Sequence, residues 1–476
     1  MPDRSRPRNW ILMCAVSLGS ICFSIACANP MFAQERQNLN DPEYMHEVAR
    51  RVDSLLVATY VLPEEAERYA TEFRRRYTSG AYDSFTDPAE FAEKVTADLI
   101  EISGDSHFSF RVIQANEPAE DPGSHLRHPV RYYRLGLREN RGYFKLEWID
   151  GKVGLLDLRR FYPLGVSREM IDAAMLFLSN ANAIVIDVRD NGGGAGESLE
   201  YFCSYFMNYP TQLTSDYSRN NDFLTEYRTT AEVGGVRRTD VPVFIVIGER
   251  SFSAAETFAY DMQANARATL VGDSTGGGAH SVDLFQVDDL FEIYIPTSRA
   301  INPVTLGNWE GVGVIPDVLV PSGEALDSAL VLASAAADEY GAIREMRVNS
   351  AVEEMQRLLS DAESLYRGGR REAADSVLDS MFQVGAEAGI IDEFFVFVLT
   401  YEYLGDADES ILFALFDKWI ELYPRSVTPW EWMASKYAEK GDKERAIECY
   451  EAVLRIDPDN PNAGRRIARL RNQERR

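Results

Sequence analysis

The chain has 476 residues, which is more than one compact domain usually holds, so about two to four domains are expected. Apolar residues make up 45% of the sequence and charged residues 26%, a balance typical of globular proteins. Lys and Arg number 49 against 75 Asp and Glu, which gives a formal charge of −26. Because a chain this acidic has no general attraction for phosphate backbones, we expect no nucleic-acid partner.

The N-terminus has the layout of a secretory signal peptide: a basic start, a short apolar stretch over residues 10–27 and small residues near its end. The basic residues are Arg4, Arg6 and Arg8, and the small ones are Ala26, Ala28 and Ala33. We expect residues 1–33 to act as an export signal that sends the protein to the periplasm or the extracellular space. Cleavage after Ala28, or an uncleaved anchor that keeps the protein at the membrane, are the alternatives.

Three of the five cysteines lie in this segment, so the exported chain would keep only Cys203 and Cys449. So few cysteines, far apart in sequence, predict no disulfide framework and no zinc site. We therefore expect neither a metal ion nor another cofactor.

Two regions of different periodicity follow. Residues 38–111 are predicted to form an N-terminal helical domain, and the proline-containing polar residues 112–130 a linker. Residues 130–325 are predicted to form an α/β domain. Its predicted strands cover residues 132–137, 142–148, 153–158, 183–186, 243–247, 269–271 and 290–296, and its predicted helices cover 167–182 and 254–264. Buried apolar strands that alternate with helices indicate an α/β sheet covered on both faces.

The chain becomes helical again from about residue 324, and a repeat is visible near its end. Its residues recur 34 positions apart: Tyr403, Phe416 and Pro424, then Tyr437, Tyr450 and Pro458. That period is typical of tetratricopeptide repeats, which we predict over residues 350–476. Such repeats dock peptides or proteins, so they would bind a partner or present a substrate. An ordinary helical bundle is the alternative interpretation.

Three further segments have a composition that packing alone does not readily explain. Gly192–Gly194 follow a buried strand, and their amides could stabilise an oxyanion, although such a turn is often only a turn. Ser253 lies between a buried strand and a helix, where a nucleophile is favoured, but Ser253 with Glu256 also fits a capping box. The third segment is Ser-Gly-Asp-Ser-His at 103–107.

A serine nucleophile needs a base, and two of the five histidines are candidates because they lie beside small residues. These are His107 and His280. The Gly-Asp-Ser-His context and a matching acidic candidate, Glu310, favour His107.

Together these segments resemble the tail-specific protease superfamily. The resemblance rests on Asp-Val-Arg-Asp-Asn-Gly-Gly-Gly at 187–194, Ser-Ala-Ala-Glu at 253–256 and Gly-Val-Ile-Pro-Asp at 313–317. The superfamily includes the carboxyl-terminal processing proteases, the tricorn core protease and the interphotoreceptor retinoid-binding proteins. The resemblance covers about residues 100–325 and implies a protease-like α/β core of the ClpP/crotonase type. The helical stretch before it fits the N-terminal helical cap of the retinoid-binding branch.

The resemblance also implies roles for individual residues. Ser253 matches the nucleophile, but the lysine base of the processing proteases is replaced by Gly278, so the Ser–Lys dyad is absent. The candidate residues are instead similar to the tricorn tetrad. In that arrangement His107 matches the base, and the neighbouring Ser106 and the acid Glu310 would orient its imidazole. The resemblance implies an oxyanion hole from the amides of Ala254 and of Gly192 or Gly193. His280 departs from the lysine pattern of the processing proteases, and we treat it as a site neighbour and not as the base. Residues 112–150 do not resemble a PDZ domain, so recognition of substrate C-termini by such a domain is in doubt.

These observations favour an exported serine-type endopeptidase that acts on peptide or protein substrates. A binding protein for an apolar ligand or a peptide on the same scaffold is the alternative, as in the retinoid-binding relatives. A repeat-mediated assembly factor with an idle catalytic domain is the third hypothesis. The complete set of Ser253, His107, Ser106 and Glu310 favours the enzyme, because a binder does not need that combination.

Overall fold

The computed structural model describes residues 42–113, 133–405 and 409–472, and the predicted signal peptide lies outside them. The helices are α1 Pro42–Thr59, α2 Pro63–Thr78, α3 Pro88–Ser103, α4 Leu164–Phe177, α5 Gly196–Cys203, α6 Ala254–Ala264, α7 Ala325–Arg367, α8 Arg371–Glu387, α9 Glu393–Glu402, α10 Ser410–Leu422, α11 Thr428–Glu439, α12 Lys443–Ile456 and α13 Pro461–Asn472. The strands are β1 Ser109–Val112, β2 Tyr143–Ile149, β3 Val153–Leu158, β4 Ala183–Asp187, β5 Ser215–Ser218, β6 Phe223–Thr225, β7 Val243–Ile247, β8 Thr269–Gly272, β9 His280–Gln286, β10 Phe291–Ile301 and β11 Val318–Leu319. The result is a mixed α/β core with helices before it and a helical repeat region after it.

The N-terminal helices form their own apolar core around Phe73, Tyr82 and Phe91, which are all fully buried. Helix α3 begins at Pro88 behind the cap Asp87, and it ends at Gly104, whose φ of 75° lets the chain turn sharply. That turn brings the next residues, which include the Asp-Ser-His sequence, out of the helix and toward the α/β core.

The main sheet has six strands in the order β11-β8-β7-β4-β3-β2, and all neighbours are parallel except β2 and β3. Alternate residues of β4 face two separate cores, with Ile184 and Ile186 on one side and Val185 on the other. The second core is closed by α7 through four buried alanines at a spacing of four residues, Ala325, Ala329, Ala333 and Ala337. The prediction of a sheet covered on both faces is therefore confirmed.

A second sheet is antiparallel and joins the N-terminal helices to the core. Its long strand β10 pairs with β1, β5 and β9, and β5 pairs with β6. Four of these five strands were not predicted. The predicted strand over 290–296 is present, but it runs five residues further, to Ile301.

The strand predicted over residues 132–137 is wrong, because residues 133–138 are helical. Tyr133 and Leu137 are 61% and 60% exposed and lie one helical turn apart, so this short segment does not pack like a strand. The helix predicted over 167–182 begins earlier, at Leu164, and ends at Phe177.

The C-terminal region is helical throughout the residues described. Helix α7 is 43 residues long, and its second half packs through Met355, Ala362 and Tyr366 against the helices that follow. Helices α11 and α12 form an antiparallel pair whose buried residues include Ala434 and Tyr450. Within the described ranges, each helix is too short or too polar to cross a membrane.

Candidate active site

Ser253 lies where the loop after β7 enters α6, and its backbone has the unusual angles φ 56° and ψ −120°. A non-glycine residue at positive φ stores roughly 1–3 kcal/mol of strain, and nucleophile turns commonly carry it. The Ser253 N–H donates to Glu256 Oε2 over 2.8 Å, which is half of the predicted capping box. Glu256 is fully buried and also accepts from the backbone N–H of Gly277 and Gly278. The Glu256 carboxylate therefore links the start of α6 to the segment before β9 by hydrogen bonds.

The glycine turn lies directly against Ser253. A Cβ atom placed on Gly193 would be 2.9 Å from Ser253 Cβ and 3.0 Å from Ala254 N, so only glycine fits there. The Gly193 N–H donates to Asn191 Oδ1 over 2.9 Å and is therefore engaged. Among the described residues, the N–H groups of Gly192, Gly194 and Ala254 have no hydrogen-bond acceptor. Of these three residues, Gly194 and Ala254 line the cavity described below.

Asp105 bridges the two candidate histidines. Its Oδ2 lies 2.7 Å from His280 Nδ1, and its Oδ1 lies 3.3 Å from His107 Nδ1 and accepts from the His107 backbone N–H over 3.0 Å. The contact between Asp105 Oδ1 and His107 Nδ1 is within ion-pair distance but is not a hydrogen bond, since His107 Nδ1 has no hydrogen-bond partner. Burial acts to raise the pKa of Asp105, but the contacts with His107 and His280 outweigh it, so the pKa is lowered.

Glu310 approaches the same cluster from the loop after β10. Its Oε2 accepts from the Ala279 N–H over 2.6 Å and lies 3.7 Å from His280 Nδ1, while its Oε1 is buried without a partner. Burial, with the charge of Asp105 added, raises the pKa of Glu310, and the nearby His280 partly offsets this. The carboxyl therefore lies where it would stabilise an imidazolium ion.

The predicted residues are only partly brought together. The His107 ring lies against Phe252, with centroids 4.7 Å apart, and a Cβ on Gly278 would lie 2.5 Å from His107 Cε1. His107 is thus beside the residue that precedes Ser253. Ser106, in contrast, is exposed, and no hydrogen bond joins it to either histidine among the residues described. Asp105 was missed as a site residue, although it stands in the Gly-Asp-Ser-His sequence that drew attention to His107.

A cavity of about 240 Å³ opens beside Ser253. Ser253, Gly278, Ala279 and His280 are part of its wall, whereas His107 is not. Three carboxylates also line it, Glu200, Asp216 and Asp261, and they were not singled out from the sequence. No local sequence signal could have found them, because they come from three different elements.

The cluster also has the spacing of a metal site, since Asp105, His280 and Glu310 each bring one ligand atom within 4.8 Å of the others. The 2.7 Å contact between Asp105 and His280 is already a good hydrogen bond, so these two groups are satisfied without an ion. The expectation of no metal stays a prediction.

Comparison with known families agrees with this fold. Residues 152–320 match the model of peptidase family S41. Over these residues the α/β core is similar to that family. Residues 41–134 match the N-terminal domain of this family as described for eukaryotic IRBP, and residues 427–460 match a tetratricopeptide repeat. The sequence-based resemblance is therefore confirmed.

Individual relatives are distant. A carboxyl-terminal-processing protease from Picosynechococcus is 26% identical over 193 residues, which cover 40% of this chain and 45% of that protein. Carboxyl-terminal-processing peptidase 1, chloroplastic, from Arabidopsis thaliana is 24% identical over 177 residues, covering 37% of this chain and 35% of that one. The chain thus spans less than half the length of these relatives.

Among solved structures, a putative peptidase from Parabacteroides merdae aligns with a TM-score of 0.44 at 18% identity, covering 62% of this chain and 96% of that one. The tricorn protease aligns with a TM-score of 0.38 at 13% identity, covering 63% of this chain and 37% of that one.

Proposed function

We propose that this protein is a serine-type peptidase that hydrolyses peptide bonds through an acyl-enzyme on Ser253. The observation that carries the proposal is the setting of Ser253: it has positive φ at a strand-to-helix junction and lines a cavity together with His280, which is hydrogen-bonded to Asp105. A residue that only capped a helix would need none of these neighbours.

In the proposed mechanism, His107 removes the proton of the Ser253 hydroxyl and later returns it to the leaving amine. Asp105 takes the orienting part that the resemblance gave to Ser106, because it is buried and lies within ion-pair distance of His107 Nδ1. Since its lowered pKa keeps it ionised, it would stabilise the imidazolium form of His107. Glu310 would add a second negative charge to the same cluster.

The oxyanion would be stabilised by backbone amides at the start of α6 and in the glycine turn. Ala254 is retained from the sequence prediction. Gly194 is added because it lines the cavity, whereas the Gly193 N–H is held by Asn191. Gly192 stays a candidate, although it is not part of the cavity wall.

His280 is the second histidine that a test has to consider. Since ionised Asp105 can only accept hydrogen bonds, His280 donates from Nδ1, and a neutral His280 then carries its lone pair on Nε2. That is the tautomer of a carboxylate-oriented base. We assign the base to His107 and treat His280 as a positioning residue that holds the second oxygen of Asp105.

The test is labelling with a fluorophosphonate probe, followed by mass spectrometry of the modified peptide. We expect labelling of the native protein at Ser253, none in Ser253→Ala, and a labelling rate about 10³-fold lower in His107→Ala. The matched control is His46→Ala, which should label normally, because His46 lies on α1 and pairs with Asp83 in the turn between α2 and α3. Undiminished labelling of Ser253→Ala would overturn the nucleophile assignment, and a larger loss in His280→Ala than in His107→Ala would transfer the base to His280.

The alternative of an apolar-ligand carrier is less well supported. The cavity is smaller than the roughly 300–1,000 Å³ typical of small-molecule sites, and three carboxylates line it. Export, the domain limits of residues 38–111, 130–325 and 350–476, and the binding of a protein partner by the repeats are also proposals. The matched tetratricopeptide repeat supports the last of them.

A further inference from the structure

We propose that the cavity beside Ser253 is the specificity pocket for the scissile residue and that it takes a lysine or arginine side chain. This inference rests on the proposed peptidase function, because it assigns the substrate class of the same site. It makes the protein a peptidase that cleaves after basic residues.

The position of the cavity suits the side chain of the residue whose carbonyl Ser253 attacks. Thr257 and Asp261 follow Ser253 at intervals of four residues along α6, so all three lie on one face of that helix, and all three line the cavity. The cavity therefore runs from Ser253 along α6 for about 12 Å, given a rise of 1.5 Å per residue. A long side chain can follow this path, with its charged end near Asp261.

The carboxylates that line the cavity favour a positively charged substrate side chain. Glu200, Asp216 and Asp261 contribute three carboxylates, and the residues known to line the cavity, all within the described ranges, include no Lys or Arg. A substrate carboxylate or an acidic side chain would be repelled here. A primary ammonium or a guanidinium group would supply the missing opposite charge.

Asp261 provides a separate observation that points to a ligand. Its side chain is fully buried, and its Oδ1 accepts from the Thr214 N–H, the Thr214 hydroxyl and the Asn302 amide at 2.7–3.0 Å. Its Oδ2 is equally buried but has no partner. Because a buried carboxylate oxygen is normally hydrogen-bonded, this atom is an acceptor without a donor, on a residue that lines the cavity.

Glu200 is a second cavity carboxylate whose negative charge is not balanced by a cationic group of the described residues. No hydrogen bond or ion pair of its side chain occurs among the residues described, and burial together with the charges of Glu197 and Asp261 raises the pKa of Glu200 to about 7. Burial likewise raises the pKa of Asp261 to about 7. A bound cation would lower both values and so favour the ionised carboxylates that bind it.

The remaining wall suits the hydrocarbon part of the same side chain. Leu199, Leu213 and Trp309 are buried apolar residues that line the cavity. Lysine and arginine carry three or four methylene groups before the charge, which would pack against these walls. A short apolar side chain would leave the carboxylates without a partner.

The test compares peptide substrates that are identical except for the scissile residue, which is Arg, Lys, norleucine or Glu. We expect kcat/KM for Arg and Lys to exceed that for norleucine at least tenfold, with no detectable cleavage after Glu. Glu200→Gln should reduce the Arg-to-norleucine ratio of kcat/KM about tenfold. The control is Glu169→Gln, an exposed position on α4 that is not part of the cavity wall, and it should keep the native ratio. Equal cleavage after norleucine and Arg in the native protein would overturn the inference.

Binding of a side-chain analogue tests the pocket without catalysis. In Ser253→Ala, calorimetry should detect n-butylguanidinium but not its neutral isostere n-butylurea, and Glu200→Gln added to it should weaken binding about tenfold. If neither compound binds, or both bind equally, the pocket assignment is wrong. Fluorophosphonate labelling keeps the two proposals apart: labelled protein without a preference for basic residues refutes only the pocket, whereas unlabelled protein that binds n-butylguanidinium refutes only the nucleophile.

Discussion

The α/β core contains two groups of carboxylates, one around His280 and one in the wall of the cavity beside Ser253, and their surroundings differ. In the histidine cluster, Asp105 is hydrogen-bonded to His280 and lies close to His107, which lowers its pKa despite burial. In the cavity, Glu200 and Asp261 are also withdrawn from water but have no cationic partner, and burial raises the pKa of each to about 7. The contacts with two histidines therefore stabilise Asp105 as an anion, whereas, within the described ranges, Glu200 and Asp261 have no cationic group that would stabilise their ionised forms. The first arrangement suits a proton transfer, and the second suits a cationic ligand.

The largest expected effect comes from neutralising the carboxylate of the histidine cluster. Asp105→Asn should lower kcat by roughly 10³–10⁴-fold, because His107 and His280 would lose the charge that orients them and stabilises the imidazolium ion. Ser106→Ala is the matched control at the next position, and because Ser106 is exposed its kcat should change less than about twofold. Steady-state rates on one peptide substrate measure both. A large loss in Ser106→Ala with little change in Asp105→Asn would restore the tetrad implied by the resemblance.

Removing a carboxylate from the cavity should make the protein more stable at high pH, whereas removing Asp105 should make it less active. A carboxyl whose pKa is raised in the folded state binds its proton more tightly there than in the unfolded chain, so its contribution to stability falls as pH rises from about 4 to 7. Asp261→Asn should remove that loss, on the order of 2–4 kcal/mol, and should therefore be more favourable at pH 8 than at pH 5.

Urea unfolding of both proteins at the two pH values measures this difference. Asp53→Asn is the control, because Asp53 is a buried carboxylate paired with Arg74, and this change should destabilise the protein at both pH values. If Asp261→Asn destabilised the protein equally at pH 5 and pH 8, folding would not raise the pKa of Asp261.

The pH dependence of substrate preference should be a smaller effect. Since Glu200 and Asp261 ionise near pH 7, the preference for Arg over norleucine should rise about fivefold between pH 6 and pH 8. Taking the ratio of the two kcat/KM values at each pH cancels any pH dependence that cleavage of the two substrates shares. In Glu200→Gln this rise should be smaller. If the Arg-to-norleucine ratio of the native protein fell as pH rises, ionised cavity carboxylates would not be what binds the basic side chain.

The smallest effect is expected from removing the repeats, residues 350–476. Both carboxylate groups lie in the part of the chain before α7, and the buried alanines of α7 that close the sheet end at Ala337. Turnover of a short peptide should therefore change less than about twofold, while cleavage of a protein substrate docked on the repeats should fall. Loss of turnover on the short peptide would mean that the repeats complete the site.

Much of the architecture could be predicted from local sequence. Val243–Ile247 and Ala254–Ala264 have the predicted limits, because a continuous apolar run and a helix that starts after a small polar loop are local signals. The 34-residue repeat indicated the tetratricopeptide region, and the motif order placed Ser253 at a strand-to-helix junction. The antiparallel strands β1 and β5 were not predictable, since their pairing with β10 joins residues far apart in sequence. Strands β9 and β6 pair with their neighbours in sequence, β10 and β5, and were missed although these contacts are local.

By itself, then, the sequence determined the order of the three regions, the residue at the junction and the histidine segment after α3. Only the tertiary structure decided between Asp105 and its neighbour Ser106, because the turn at Gly104 buries one and exposes the other, and because the partner of Asp105 is 175 positions away at His280. The cavity likewise depends on Glu200, Asp216 and Asp261, which come from separate elements. Periodicity and motifs record neighbours along the chain, whereas charge compensation depends on neighbours in space.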